Sequence, residues 1–210
     1  MYWVVFEGID GSGKTTQATL LTENLIKMGM HAKYTHVFDT SIGPDLKNIF
    51  LSNEIGNRFD FYVLLATREA FIKEFEKTRE KGCDFFISDR YLYSIGSMQL
   101  LIDPELATEF NLFKERLNEI AKPDLTIYMD LNAENAALRR QSRSGSDKIE
   151  SKPVEFHSEV RDAYAELLSC EDNVYHISGD RTIEDIQTDI LGYIKEDIAR
   201  ISQRDSKTSC

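Results

Sequence analysis

The sequence predicts an α/β fold in which a parallel sheet of about five strands lies between layers of helices. Three observations carry that prediction. Apolar runs of strand length alternate with helix-length amphipathic stretches along the chain. A glycine-rich turn joins the first such run to the first helix. The 210 residues suit one domain, or one with a small insertion, at about 150 residues per domain.

Residues 2–6 are apolar and stop just short of Gly8, which reads as a buried strand. Over 14–28, Ala18, Leu21, Leu25 and Met28 form a helical stripe, and Gly29 supplies the stop. Residues 32–37 read as a second strand. Residues 44–51 suit a short helix and 59–81 a long one, ended by Gly82. A third strand over 83–87 leads to Asp89. Helices are expected over 92–101 and 105–121, with Pro123 behind the latter. A fourth strand at 125–131 precedes a helix over 133–143. Residues 142–150 contain Ser and Gly, are charged, and read as a mobile loop. A helix at 154–168, a fifth strand at 174–177 and a last helix at 182–201 follow, and the polar residues from Gln203 read as a frayed tail. In such sheets ligands bind beyond the carboxyl ends of the strands. That places the glycine turn, Asp89-Arg90 and the end of the fourth strand at one crevice.

Composition narrows the function classes. Hydrophobic residues at 41% and charged residues at 29% argue against a disordered chain. A net charge of −11 makes general binding to nucleic acid or to an anionic membrane a poor expectation. The apolar runs are too short to span a bilayer, and no basic flank precedes an apolar stretch, so no secretory signal is expected. Cys83, Cys170 and Cys210 are too scattered for a disulfide framework or zinc site, which fits a reducing cytoplasm. The histidines His31, His36, His157 and His176 have no metal-ligand spacing.

Gly8-Ile9-Asp10-Gly11-Ser12-Gly13-Lys14-Thr15 fits the GxxxxGK[ST] pattern in full, with a strand before it and a helix after it. Glycines let backbone N–H groups curl around an anion, and the helix N-terminus adds its positive dipole. In this pattern Lys14 reaches the β- and γ-phosphates and the Thr15 hydroxyl binds Mg²⁺. The loop alone implies a bound nucleoside triphosphate. No Asn-Lys-x-Asp tetrapeptide is present, which disfavours a guanine-specific GTPase. Asp89, at the end of a hydrophobic strand, suits a carboxylate that holds Mg²⁺ through water, and Arg90 beside it suits phosphate. Arg139, Arg140, Arg143 and Lys148 make a local basic excess. A solvated helix face and a lid over phosphates both account for it; its place after the fourth strand favours the lid.

At this point the sequence resembles the thymidylate kinase family over nearly its whole length. The resemblance rests on the stretch from Phe6 through the phosphate loop to Gln17, and on Ile87-Ser88-Asp89-Arg90-Tyr91 with Ser94 and Gln99 at the family's spacing. It rests also on Pro123-Asp124-Leu125 through Leu131, on Arg143 with Asp147-Lys148-Ile149-Glu150, and on Phe156-His157 with Val160-Arg161-Asp162-Ala163-Tyr164.

The resemblance implies a three-layer P-loop kinase fold, one domain over 1–203 with a mobile lid at 142–150 and a polar tail at 204–210. It implies transfer of the γ-phosphoryl group of MgATP to dTMP, giving dTDP and ADP, by a cytoplasmic homodimer that binds neither nucleic acid nor membrane. Catalysis would fall to Lys14, Arg90 and Arg143. ATP would lie against Gly8, Ile9, Asp10, Gly11, Ser12, Gly13, Lys14, Thr15, Thr16, Arg139 and Arg143, with Mg²⁺ held by Thr15 and Asp89. The acceptor dTMP would meet Asp10 at its 3′-hydroxyl, Arg90 at its phosphate, Arg68 at thymine O4, Gln99 at the pyrimidine edge, and also Leu64 and Ser94.

Three departures from the family pattern stand out. After the second strand the family has Thr-Arg-Glu-Pro-Gly-Gly, where this chain has Thr35-His36-Val37-Phe38-Asp39; His36 or Lys47 could supply the missing grip. The aromatic that stacks on thymine is Leu64 here, and the aromatic before the glutamine is Met98. The alternatives are a kinase of another or several deoxynucleoside monophosphates, and a weakly active nucleotide-binding relative.

Overall fold

A computed structural model describes the backbone of residues 1–52, 54–141 and 148–208, with side chains as far as Ile198. Five strands form one sheet: β1 (Tyr2–Glu7), β2 (Ala32–His36), β3 (Phe85–Asp89), β4 (Leu125–Asp130) and β5 (Val174–Ser178). Their order is β2-β3-β1-β4-β5, and every pairing is parallel, as the strand–helix alternation predicts.

The first strand shows why both faces of the sheet must be covered. Trp3 through Glu7 are all buried. Val4 and Phe6 point into one core with Leu21 and Leu25 of helix α1 (Lys14–Lys27) and with Ile190 and Ile194 of the final helix. Trp3 and Val5 point into another, with Phe71 and Phe75 of the long helix over 57–80 and Leu117 of the helix over 107–120. Alternation along one strand therefore feeds two helical layers.

The remaining helices are α2 (Gly43–Ser52), α3 (Asn57–Glu80), α4 (Tyr93–Ile95), α5 (Ala107–Ile120), α6 (Ala133–Gln141), α7 (Val154–Leu168) and α8 (Ile183–Thr208). Several boundaries shift by one or two residues from the sequence reading, the third strand from 83–87 to Phe85–Asp89 among them, and three differences change the character of an element. The helix expected over 92–101 has only one α-helical turn, α4, and then widens into a π-helical stretch, Gly96–Leu100. Gly96 permits close packing there: a Cβ would lie 2.9 Å from both Leu167 and Phe110. The helix expected from 105 opens instead with a 3₁₀ turn, Pro104–Leu106, where the Asp103 side chain accepts the Glu105 N–H at 3.2 Å. The last helix continues to Thr208, past the expected end at 201, because no Gly or Pro follows to stop it.

The crevice lies where the chain order reverses, at the carboxyl end of β1 between β3 and β4. Residues 142–147, which include the expected lid residue Arg143, lie outside the described residues. Among described residues, no helix is long and apolar enough to cross a membrane.

Candidate active site

The turn between β1 and α1 is glycine-rich for steric reasons. Gly8 has φ +140°, and a Cβ there would lie 2.6 Å from the Met129 carbonyl oxygen of β4. Gly11 has φ +91°, and its Cβ would lie 2.5 Å from the Ala136 carbonyl oxygen of α6. No L side chain fits either position. Arg140 of α6 donates to the Asp10 carbonyl at 2.7 Å and fixes the loop from the same side.

Lys14 is buried, and its ammonium donates back to the Ile9 carbonyl at 2.7 Å. Burial, with Arg90 nearby, lowers its pKa to about 8. Thr15 donates its hydroxyl to one oxygen of Asp89, the last residue of β3. The other Asp89 oxygen, Oδ1, is buried and has no hydrogen-bond partner among the described residues. A buried carboxylate oxygen left open beside a hydroxyl suits a hard cation. Thr15 and Asp89 therefore fit Mg²⁺.

Arg90 is the one non-glycine residue with positive φ among those described, at +71°. Its guanidinium pairs with Asp10 and donates to the Gly8 carbonyl and the Tyr164 hydroxyl, both at 3.2 Å. Burial would raise the Asp10 pKa, but Arg90 and Lys14 outweigh it and hold the carboxyl well below its usual range. Both charges are thus present at neutral pH.

Two cavities share the phosphate loop as a common wall. One, of about 220 Å³, is lined by Asp10, Lys14, Asp89 and Arg90 on the loop side and by residues of β2, α2, α3 and the π-helical stretch on the other. The second, of about 340 Å³, lies across the loop against Gly11, Gly13 and Thr16, with Arg139 and Arg181 opposite. Arg139 also donates to the Gly179 carbonyl at 2.9 Å.

The other expected residues are distributed unevenly. Leu64, Arg68 and Ser94 line the first cavity. Arg68 is fully buried and donates to the Tyr91 carbonyl through Nε and Nη2, to Thr67 Oγ1 and to Ser94 Oγ, at 2.8–3.0 Å. Burial lowers its pKa to about 10, against the pull of Glu7. Gln99 lines neither cavity. It faces a separate hollow with Asn57, Asp60 and Lys148, and its Oε1 has no partner among the described residues.

Several site residues were missed by sequence reasoning. Phe38 and Phe50 line the first cavity, so aromatic surface absent at Leu64 comes from the turn after β2 and from α2 instead. Ile149 and Glu150 close the same cavity, and Lys148 next to them pairs with Asp60 of α3 at 2.6 Å. His36, offered with Lys47 by the sequence for the missing grip, faces this cavity as expected of that role. Its Nδ1 accepts the Phe38 N–H at 3.2 Å, and burial lowers its pKa to about 4, so it is neutral. Arg181 was signalled only by its place after β5.

A phosphate loop at the switch point of a parallel sheet, serving two cation-lined cavities, defines a nucleotide phosphotransferase of the P-loop kinase class. A family model described as Thymidylate kinase matches residues 6–190. The thymidylate kinase of Fervidobacterium nodosum is 30% identical over 193 residues, covering 90% of this chain and 96% of its own. That of Exiguobacterium sp. is 31% identical over 204 residues, 92% and 94% of the two chains. A probable thymidylate kinase of Pyrococcus abyssi is 31% identical over 207 residues, 94% and 97%. The chain belongs to the thymidylate kinase family.

Proposed function

We propose that this chain transfers the γ-phosphoryl group of ATP to dTMP, giving dTDP and ADP. The observation that carries the reading is the shared wall: one phosphate loop bounds both cavities, so two anions bound on its two sides would meet across Lys14. ATP occupies the cavity with Arg139 and Arg181, its phosphates cradled by the backbone of Gly8, Ile9, Asp10, Gly11, Ser12, Gly13, Lys14, Thr15 and Thr16. The acceptor occupies the cavity with Leu64, Arg68, Ser94, Phe50 and Arg90. There Asp10 receives the sugar 3′-hydroxyl and Arg90 turns from Asp10 to the acceptor phosphate.

The chemistry asks for position and charge. Lys14 swings from the Ile9 carbonyl to the β/γ-bridge and stays charged there. Arg90 spans the acceptor phosphate and the transferred group. Thr15 with Asp89 would hold Mg²⁺, which would supply positive charge to the triphosphate when bound. Arg143 and the segment around it are assigned to the lid over the triphosphate on family resemblance, as part of one domain over 1–203. Base choice rests on Arg68, whose four hydrogen bonds leave one N–H for the acceptor base. Gln99 reads the pyrimidine edge only if the π-helical stretch rotates it inward. We assign a homodimer on family resemblance, and a cytoplasmic setting that the free Cys83 and Cys170 support.

The test is coupled ADP release with dTMP, dUMP, dCMP, dGMP and dAMP as acceptors. The expected result is the highest kcat/KM with dTMP, then dUMP, with purines poor. A higher kcat/KM for dGMP, dCMP or dAMP would replace this assignment with a broader monophosphate kinase.

A further inference from the structure

Arg90 sits on a left-handed backbone turn, and that turn is gripped from outside by two buried ionisable side chains, Glu7 and Arg68. The Arg90 N–H is taken by the Phe6 carbonyl at 2.9 Å. The next N–H, that of Tyr91, is taken by Glu7 Oε1 at 2.8 Å, and the Ser94 N–H reaches the same oxygen at 3.3 Å. The Tyr91 carbonyl accepts from Arg68 Nε at 3.0 Å and Nη2 at 2.8 Å. The backbone of Tyr91, the residue after Arg90, is therefore held at its N–H by the Glu7 carboxyl group and at its carbonyl by the Arg68 guanidinium. Glu7 also reaches the Arg90 side chain: Tyr164 donates its hydroxyl to Glu7 Oε2 at 2.9 Å and accepts from Arg90 Nη1 at 3.2 Å.

Glu7 is fully buried and lines neither cavity, so it touches no substrate. Burying a carboxyl group is costly unless hydrogen bonds offset it, and the Glu7 hydrogen bonds, to the Tyr91 and Ser94 N–H groups and from Tyr164, converge on Arg90 and the turn that carries it. We propose that Glu7 and Arg68 are positioning residues that clamp the Tyr91 backbone on both sides of its Cα and so aim the Arg90 guanidinium at the transferred phosphoryl group. This deepens the phosphotransfer reading and rests on it for Arg90's role. Glu7 fixes the turn through Tyr91 and Ser94 and steadies the guanidinium through Tyr164. Arg68 holds the carbonyl of the same residue, in the next peptide unit, and itself lines the first cavity.

A double-mutant cycle separates this from a general structural role. Glu7→Leu is expected to lower kcat about 100-fold or more and to leave the KM for ATP within about threefold, because the phosphate loop is untouched. Glu7→Gln, which keeps an oxygen for the Tyr91 N–H, is expected to fall between wild type and Glu7→Leu. In an Arg90→Ala background, Glu7→Leu is expected to cost less than about threefold more, because its effect runs through Arg90. Losses that multiply in the double variant would overturn the proposal. Should Glu7→Leu not fold, Glu7→Gln and Tyr164→Phe run the same cycle, with the same outcomes deciding it. Amide hydrogen exchange at Tyr91 reads the clamp without turnover: exchange is expected to quicken in Glu7→Leu or Glu7→Gln, and unchanged exchange overturns the clamp. A wild-type chain that forms no dTDP refutes the phosphotransfer reading, while the exchange result still decides the clamp.

Discussion

Lys14 and Arg90 carry opposite lessons about a buried cation. Arg90 keeps its charge because Asp10 and Tyr164 surround it, although burial alone would work against the charge. Lys14 is closer to losing its proton, with a pKa of about 8. In the free chain only the ammonium form attracts triphosphate. We therefore expect kcat/KM for ATP to fall as pH rises through about 8. kcat itself should hold to higher pH, since bound phosphate keeps the ammonium protonated; a kcat/KM flat to pH 10 would contradict the assignment. Stability moves the other way. Between about 8 and 10.5 the unfolded chain still holds a proton that the folded Lys14 has shed. The contribution of this residue to stability thus rises with pH across the window in which ATP capture declines. Lys14→Ala and Arg90→Ala should each lower kcat by about 100-fold or more while circular dichroism stays like wild type. Near-normal kcat in either would remove that residue from the site. Arg90 holds a backbone conformation that costs on the order of 1–3 kcal/mol, which the surrounding hydrogen bonds offset.

Among the elements, the phosphate loop is squeezed between β4 and α6. The Gly11 position leaves 2.5 Å to the Ala136 carbonyl for any added Cβ. Gly11→Ala should push α6 from the loop, cost about 1–3 kcal/mol of stability and weaken ATP binding at least tenfold (~1.4 kcal/mol). Isothermal titration with ATP checks this, and wild-type affinity would mean that the loop has room the geometry denies it. On the acceptor side, Lys148 ties the chain beyond the basic segment to the N-terminal end of α3. Its ammonium meets Asp60 at 2.6 Å and the Phe50 carbonyl at 3.0 Å, and it sits 5.1 Å above the Phe50 ring centre. Ile149 packs with Phe50 and Leu64 as the roof of the acceptor cavity. Lys148→Met should therefore raise the KM for dTMP about fivefold, roughly 1 kcal/mol, and barely alter the KM for ATP. Equal changes in both constants would count against a role confined to the acceptor.

Over the whole molecule, what could be read in the sequence was what is local. Apolar runs marked the five strands, and the glycine spacing of the loop reports steric limits that the neighbouring backbone imposes. Less legible was whatever the fold assembles from distant segments. Arg68 looked from the sequence like a base-reading side chain. Its bonds to a carbonyl 23 residues away are visible only once α3 packs beside the turn after β3. The position of the family's stacking aromatic, four residues before Arg68, holds Leu64, and nothing local in the sequence marks Phe38 and Phe50 across the cavity. The π-helical widening that turns Gln99 toward another hollow leaves no local mark beyond Gly96. Across the chain, one phosphate loop serves two nucleotides and the phosphoryl group that passes between them. The most direct measurement is ³¹P NMR of the protein with MgATP and dTMP, following all phosphorus species together. The dTDP signals are expected to grow one-for-one with ADP, with no inorganic phosphate released alongside. ADP accompanied by inorganic phosphate, with dTMP left intact, would contradict it.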